Sequence, residues 1–346
     1  MRAIDVLKTP LWVAELASGA KSFCDNPIIG SRRLNEKGLH VGRLRLAQKM
    51  SDWRRRRLEG LVSAEDRQQY AEQGYICRKN ALADDELAGL RREVEENTFH
   101  AYDMRQGNAV TRFIPLPPHV LEALPYLKRF VNGPLFQGSL RYVASSNSDP
   151  IFYLHVVLTK PNNGKVDPQT HFHSDTFQPT AKSWFFLYDI AVEEGPFNYI
   201  PGSHRLTEKR AAWEQMQSIH AADAKNRLHA RGSFRLNAKE AREMGFDDPV
   251  AFAVPGNTLI VADTHGFHAR GKSDRPSTRV GIYGSLRRNP FLPFTGLDVL
   301  SLPGLKGRQA QLHMKQLEFR AKLKGKKSSH RYVGKISITA PADFGS

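Results

Sequence analysis

The chain has 346 residues, 40% of them apolar, and a formal charge of +16. That is enough for a substantial core in one large domain or two modest ones. Its two cysteines, Cys24 and Cys77, lie far apart in sequence, which excludes a disulfide framework or zinc ribbon and fits a reducing cytosol.

Asp5, Lys8 and Glu15 interrupt the first apolar segment. No window reaches about 18 uninterrupted apolar residues, so neither a leader nor a membrane span is expected, and a cytoplasmic protein is. Charge is uneven along the chain: residues 1–59 hold 13 Lys/Arg against 6 Asp/Glu, and residues 297–346 hold 10 against 3. The pattern predicts a globular middle, 63–296, between a basic, partly helical N-terminal extension, 1–62, and a basic C-terminal extension, 297–346.

Residues 1–20 form a mixed apolar segment broken at Pro10. Over 40–61, Val41, Leu44, Ala47, Met50 and Trp53 recur at helical spacing and lead into Arg54-Arg55-Arg56-Arg57. Two readings stay open there. One is a helix packed on the domain with its arginines in water; the other is attachment to anionic lipid or nucleic acid. Trp53 beside four arginines favours the membrane over DNA.

Ser63-Ala64-Glu65-Asp66 is a capping signal for a helix ending before Gly74. Residues 75–78 read as a short strand, and Ala83-Asp84-Asp85-Glu86 opens a helix to about Asn97. From about residue 150 the pattern is β, with strands at 151–158, 183–190, 196–200, 250–254, 258–263 and 279–286. A loop signal lies at Pro161-Asn162-Asn163-Gly164, and a polar helical insertion at 205–245. Short strands with Gly/Pro turns predict a sandwich or barrel, whose mouth suits a metal site. Residues 309–323 predict a basic helix, and 322–327 a solvated or disordered charge run.

His173 and Asp175 stand two apart, on one face of an extended segment that also carries His171. Two imidazoles and a carboxylate hold one face of an Fe(II) ion and leave its other positions open. His265 and His268 both qualify as the later imidazole, and Arg279 beyond them supplies a planar cation suited to a carboxylate.

Several segments together carry a resemblance: His173-Ser174-Asp175, then 194–204 ending in Pro201-Gly202-Ser203-His204, then 263–271 with Gly266-Phe267-His268, then Ser273-Asp274-Arg275-Pro276 and Arg279. With the weaker 70–75 and 87–90 regions, they resemble the phytanoyl-CoA dioxygenase family of iron- and 2-oxoglutarate-dependent oxygenases over roughly 63–289. The resemblance implies a mainly β fold with flanking helices, a double-stranded β-helix or jelly-roll, cupin-like barrel. It implies His173, Asp175 and His268 as ligands of Fe(2+), and Arg279 as partner of the distal carboxylate of 2-oxoglutarate. His171 becomes a nearby or substrate-facing group, and His204 a residue that secures a turn. Lys160, at a strand end, is a further candidate for contact with a carboxylate.

Relatives that halogenate lack the carboxylate ligand. Asp175 therefore predicts hydroxylation of an unactivated C–H bond. The basic extensions suggest an anionic or lipid-linked small-molecule substrate, with peripheral association at the inner membrane face, where each Lys or Arg contributes about 1 kcal/mol. A non-catalytic β-barrel binding protein and a nucleic-acid-directed oxygenase are the alternatives, and nucleic acid is the less favoured partner.

Overall fold

The computed structural model describes residues 3–162, 165–296, 298, 301–302 and 304–344; Asn163 and Gly164 of the expected loop lie outside them. Strands and helices are numbered along the chain. Among the described residues, one antiparallel sheet runs in the order β1 (Tyr75–Arg78), β8 (Thr258–Asp263), β5 (Ala181–Phe186), β10 (Ser277–Leu286), β4 (Ile151–Thr159), β3 (Ala109–Pro115), β2 (Phe99–Gln106) and β11 (Arg331–Ile336). A smaller sheet holds β7 (Val250–Ala251), β6 (Phe197–Tyr199) and β9 (His268–Arg270). The two face one another in the jelly-roll manner of a double-stranded β-helix.

Helices α1 (Ala3–Leu16), α2 (Arg32–Glu36), α3 (Leu39–Arg56) and α4 (Ala64–Gln73) precede β1. Helices α5 (Asp84–Glu96), α6 (Pro118–Glu122), α7 (Pro125–Asn132) and α8 (Pro134–Val143) fall between β1 and β4. The insertion before β7 carries α9 (Glu208–His220), α10 (Arg227–Ala230) and α11 (Ala238–Glu243), and α12 (Gln309–Leu323) precedes β11.

Strand alternation divides the molecule into two layers of packing. Leu259 and Val261 of β8, Phe185 of β5 and Ile282 of β10 turn outward, onto Leu90, Leu127, Phe130 and Leu140 of α5, α7 and α8. The intervening Ile260 and Phe186 turn inward, onto Phe197, Tyr199 and Phe252 beside the small sheet. The inward positions of β10 alternate in the same way, and Arg279, Gly281 and Tyr283 line a cavity between the sheets.

Local signals behave as their chemistry requires. Ser63 caps α4 by accepting from the Asp66 N–H, and Gly74 ends the helix at φ +87°, a left-handed conformation open to glycine. A Cβ on Gly74 would also lie 2.5 Å from the Tyr199 hydroxyl.

The two basic extensions do not stand off as free arms. Helix α3 buries His40, Arg43, Leu44, Ala47, Ser51, Arg54 and Arg55. Arg54 is 1% exposed. It donates to the carbonyls of Ser145 (2.9 Å), Pro290 (3.0 Å) and Leu292 (2.6 Å). Arg55 sits over the Tyr70 ring at 4.6 Å and pairs with Asp52 at 2.7 Å. Arg56 and Arg57 alone of the four are exposed. Of the two readings left open, the packed helix holds for Arg54 and Arg55, which are spent on internal partners, and they lend the anionic-surface reading no support.

At the other end, the 322–327 charge run is exposed, but the chain then returns as β11 and pairs with β2. Arg112, 1% exposed, clamps the stretch that follows through the carbonyls of Ala340 (2.6 Å) and Pro341 (3.2 Å). No helix among the described residues is long and apolar enough to cross a membrane.

Candidate active site

His173 belongs to no regular strand. Isolated antiparallel bridges tie it to His268, at the start of β9, and to Arg235. Backbone bonds exchanged between His173 and His268, both 3.0 Å, fix the two residues side by side. The Asp175 N–H donates to the Thr264 carbonyl at 2.8 Å, which brings the carboxylate to the same point.

One donor atom from each of His173, Asp175 and His268 falls within 4.8 Å of the others. The His173 Nε2 is 3.8 Å from Asp175 Oδ1, and the His268 Nε2 is 3.7 Å from Asp175 Oδ2. Each ring is oriented by its other nitrogen: the His173 Nδ1 donates to the His171 carbonyl (2.8 Å) and the His268 Nδ1 to the Gly266 carbonyl (3.0 Å). A carbonyl only accepts, so both Nδ1 atoms carry the proton and both Nε2 lone pairs are free for a cation.

The electrostatics favour the same chemistry. Burial, and then the facing imidazole of His268, holds His173 well below the usual histidine range. Burial also lowers His268. Both rings are therefore neutral donors. Burial works to raise Asp175, but the charge of Lys182, bonded to it, outweighs burial and keeps the carboxyl well below the ordinary value. Lys182 Nζ lies 2.6 Å from Asp175 Oδ2. Lys21 Nζ donates to the Asp175 carbonyl, so the N-terminal extension reaches the site.

The cavity beside these donors is about 240 Å³. Arg279 lines it and is 8% exposed. Its Nη1 donates to the Gly195 carbonyl, while its Nε is buried without a hydrogen-bond partner. Burial, then the charge of Arg270, pulls the guanidinium down to about 9. An unsatisfied buried cation in an apolar-walled cavity fits a carboxylate ligand. The walls include Trp184, Phe197 and Tyr283, with Trp184 stacked on Phe197 at 4.2 Å.

Other residues singled out from the sequence lie elsewhere. His265 is buried with its Nδ1 2.9 Å from the Thr176 carbonyl, outside the triad. His171 is exposed and contributes only its carbonyl to His173. His204 is buried against Tyr70, ring centroids 5.2 Å apart. Lys160 is exposed, with Nζ 4.8 Å from the Phe344 ring centroid, and does not line the cavity. Lys182 went unremarked in the sequence, although a lysine two residues before Trp184 and four before Phe186, in phase with them on one strand face, was a readable signal.

The family model described as phytanoyl-CoA dioxygenase matches residues 70–234, which include His173 and Asp175. Over those residues the chain is similar to that family.

Ectoine dioxygenase of Bordetella bronchiseptica is 27% identical over 269 residues, 68% of this chain and 80% of its own. Its counterpart from Bordetella parapertussis is 26% identical with the same coverage. Among solved structures, the epimerase SnoN in complex with Fe3+, alpha ketoglutarate and nogalamycin RO is 17% identical, covering 69% of this chain and 90% of its own at a TM-score of 0.41.

Proposed function

We propose that the chain hydroxylates an unactivated C–H bond of a small organic substrate, with dioxygen and 2-oxoglutarate consumed and succinate and carbon dioxide released. The observation that carries this reading is the convergence of His173, Asp175 and His268 at a cavity whose wall holds Arg279. His173, Asp175 and His268 would hold Fe(II), and Arg279 the distal carboxylate of 2-oxoglutarate. The metal, bound together with 2-oxoglutarate, supplies the activation of dioxygen that such a hydroxylation requires.

The chain's own residues do the rest. The His171 and Gly266 carbonyls keep each imidazole in the tautomer that binds a cation. Lys182 engages one carboxylate oxygen of Asp175, which disfavours bidentate ligation and leaves coordination positions for co-substrate and oxygen. Trp184, Phe197 and Tyr283 exclude water from the reacting centre. A small organic substrate accords with the relatives named ectoine dioxygenase. Attachment to lipid has no support in the burial of Arg54 and Arg55.

Succinate release from 2-oxoglutarate under air tests this reading. The parent chain with Fe(II) is expected to release succinate slowly without added substrate, and His173→Ala to give background only. Equal background from both would overturn the reading. Binding gives a second readout: Fe(II) with 2-oxoglutarate at about 100 times Kd should stabilise the parent by about 2.7 kcal/mol, and the variant far less.

A further inference from the structure

The surroundings of Asp175 and His173 hold more positive charge than the ligands assigned above balance. Lys182 and Lys21 both bond to Asp175, one to the carboxylate and one to the backbone carbonyl. Arg235 is the bridge partner of His173, so its side chain leaves the backbone on the same side as the imidazole. Its Nη1 donates to the Ser233 carbonyl and hydroxyl, both at 2.6 Å, which leaves the other edge of the guanidinium uncommitted. Arg287 follows the end of β10, two residues past Ser285, the register partner of Lys182.

The four cations feel one another. Burial, and then Arg287, Lys182 and Arg235, pull Lys21 down to about 8, with Asp175 alone acting in the opposite sense. Among the described residues, Asp175 is the single carboxylate in ion-pair contact with any of the four. A divalent ion, Asp175 and the 2-oxoglutarate dianion together sum to one negative charge, which Arg279 cancels. The four cations are then left unbalanced, and clustered like charges at a partly buried site favour an incoming anion.

We propose that this surplus receives an oxyanion carried by the substrate, so that the molecule oxidised is a carboxylate or phosphate ester whose anionic end docks between Arg235 and Arg287. The proposal rests on the reading of the site as an iron and 2-oxoglutarate centre. Planar guanidinium forks match an oxyanion in two-point contact. Lys21 and Lys182, already engaged with Asp175, add field rather than direct contact. The anion then fixes which substrate carbon faces the metal ligands.

Inorganic phosphate is the probe. It is titrated calorimetrically, without oxygen, into the full chain loaded with Fe(II) and saturated with 2-oxoglutarate. The parent is expected to bind it, and R235Q/R287Q to bind it at least about tenfold more weakly. R287Q alone, at an exposed position, guards against a folding failure of the double variant and should weaken binding about threefold or more. Absence of binding to the parent overturns the proposal. Affinity unchanged in both variants also overturns it, and is what phosphate seated on the metal would give. A parent that binds no 2-oxoglutarate overturns the functional reading instead. In that case phosphate bound in dependence on the two arginines still supports the anion site, and phosphate that fails to bind removes it.

Discussion

Gly266 shows how closely one atom can be specified near the site. It lies between His265 and His268, and its carbonyl orients the His268 ring. A Cβ there would fall 1.8 Å from the Tyr199 hydroxyl and 3.0 Å from the Asp263 carbonyl. That hydroxyl donates to the same carbonyl at 2.9 Å, so the tyrosine is not free to retreat. Gly266→Ala should therefore force the loop outward, at a cost of about 1–3 kcal/mol by the usual measure of overpacking. The displaced carbonyl would release the His268 tautomer. The expected result is a lower melting temperature together with weaker Fe(II) binding by calorimetry. An unchanged metal affinity would separate the loop from the ligand it carries. The sequence marked Gly266 only as part of a motif, because the reason for glycine is a tyrosine 67 residues earlier in the chain.

At the scale of elements, local chemistry was legible and distant partners were not. Helix α12 spans the same 309–323 read from the sequence, and α4 begins and ends at its predicted cap and glycine. Strands β4, β8 and β10 lie within a few residues of their expected positions, since long apolar runs bounded by Gly and Pro leave few alternatives. Strands β2 and β3 were missed. Phe99–Gln106 carries His100, Asp103, Arg105 and Gln106, and Arg112 of β3 finds its acid, Asp103, only across the strand pair. Helix α3 shows the same limit. Its periodicity was plain, but a run of four arginines does not disclose which of them turn inward. Arg54 meets three carbonyls from segments 91 to 238 residues away. Arg54→Ala should leave those acceptors buried and unpaired, at a cost of at least about 3 kcal/mol at roughly 1–3 kcal/mol for each lost partner. Arg56→Ala, at an exposed position, should stay within about 0.5 kcal/mol. Denaturant midpoints of the two variants test this, and similar small shifts in both would restore the solvated-helix reading.

For the molecule as a whole, the interior is stocked with neutral histidines, and this sets how it responds to acid. Burial pushes His155 down to about 3, with Arg270, Arg279 and Lys182 adding to the effect, and burial followed by Arg210 takes His265 to about 3. Unfolded, each would titrate near 6.5. Between those limits the unfolded chain binds more protons than the folded one, so stability falls as pH drops from about 6.5 toward 3. Each such group contributes up to about 1.4 kcal/mol per pH unit in that window. Glu214 acts in the same direction at lower pH. Burial opposes its charge, but the His40 hydrogen bond and Arg210 hold it near 2, so its contribution fades as pH falls below the ordinary carboxylate range. His155 is the cleanest member to remove. Its ring lies 4.9 Å from Phe113 and 5.1 Å from Tyr283, a setting that accepts phenylalanine without stranding a hydrogen bond. His155→Phe should therefore lose stability less steeply than the parent between pH 6.5 and 4, by at most about 1 kcal/mol per pH unit. Measuring both with a chelator present removes the separate effect of ligand protonation on metal binding. Parallel curves for the two proteins would mean that His155 already carries its proton in the fold, which would put a further cation beside Arg279 and undo the charge balance drawn for the cavity.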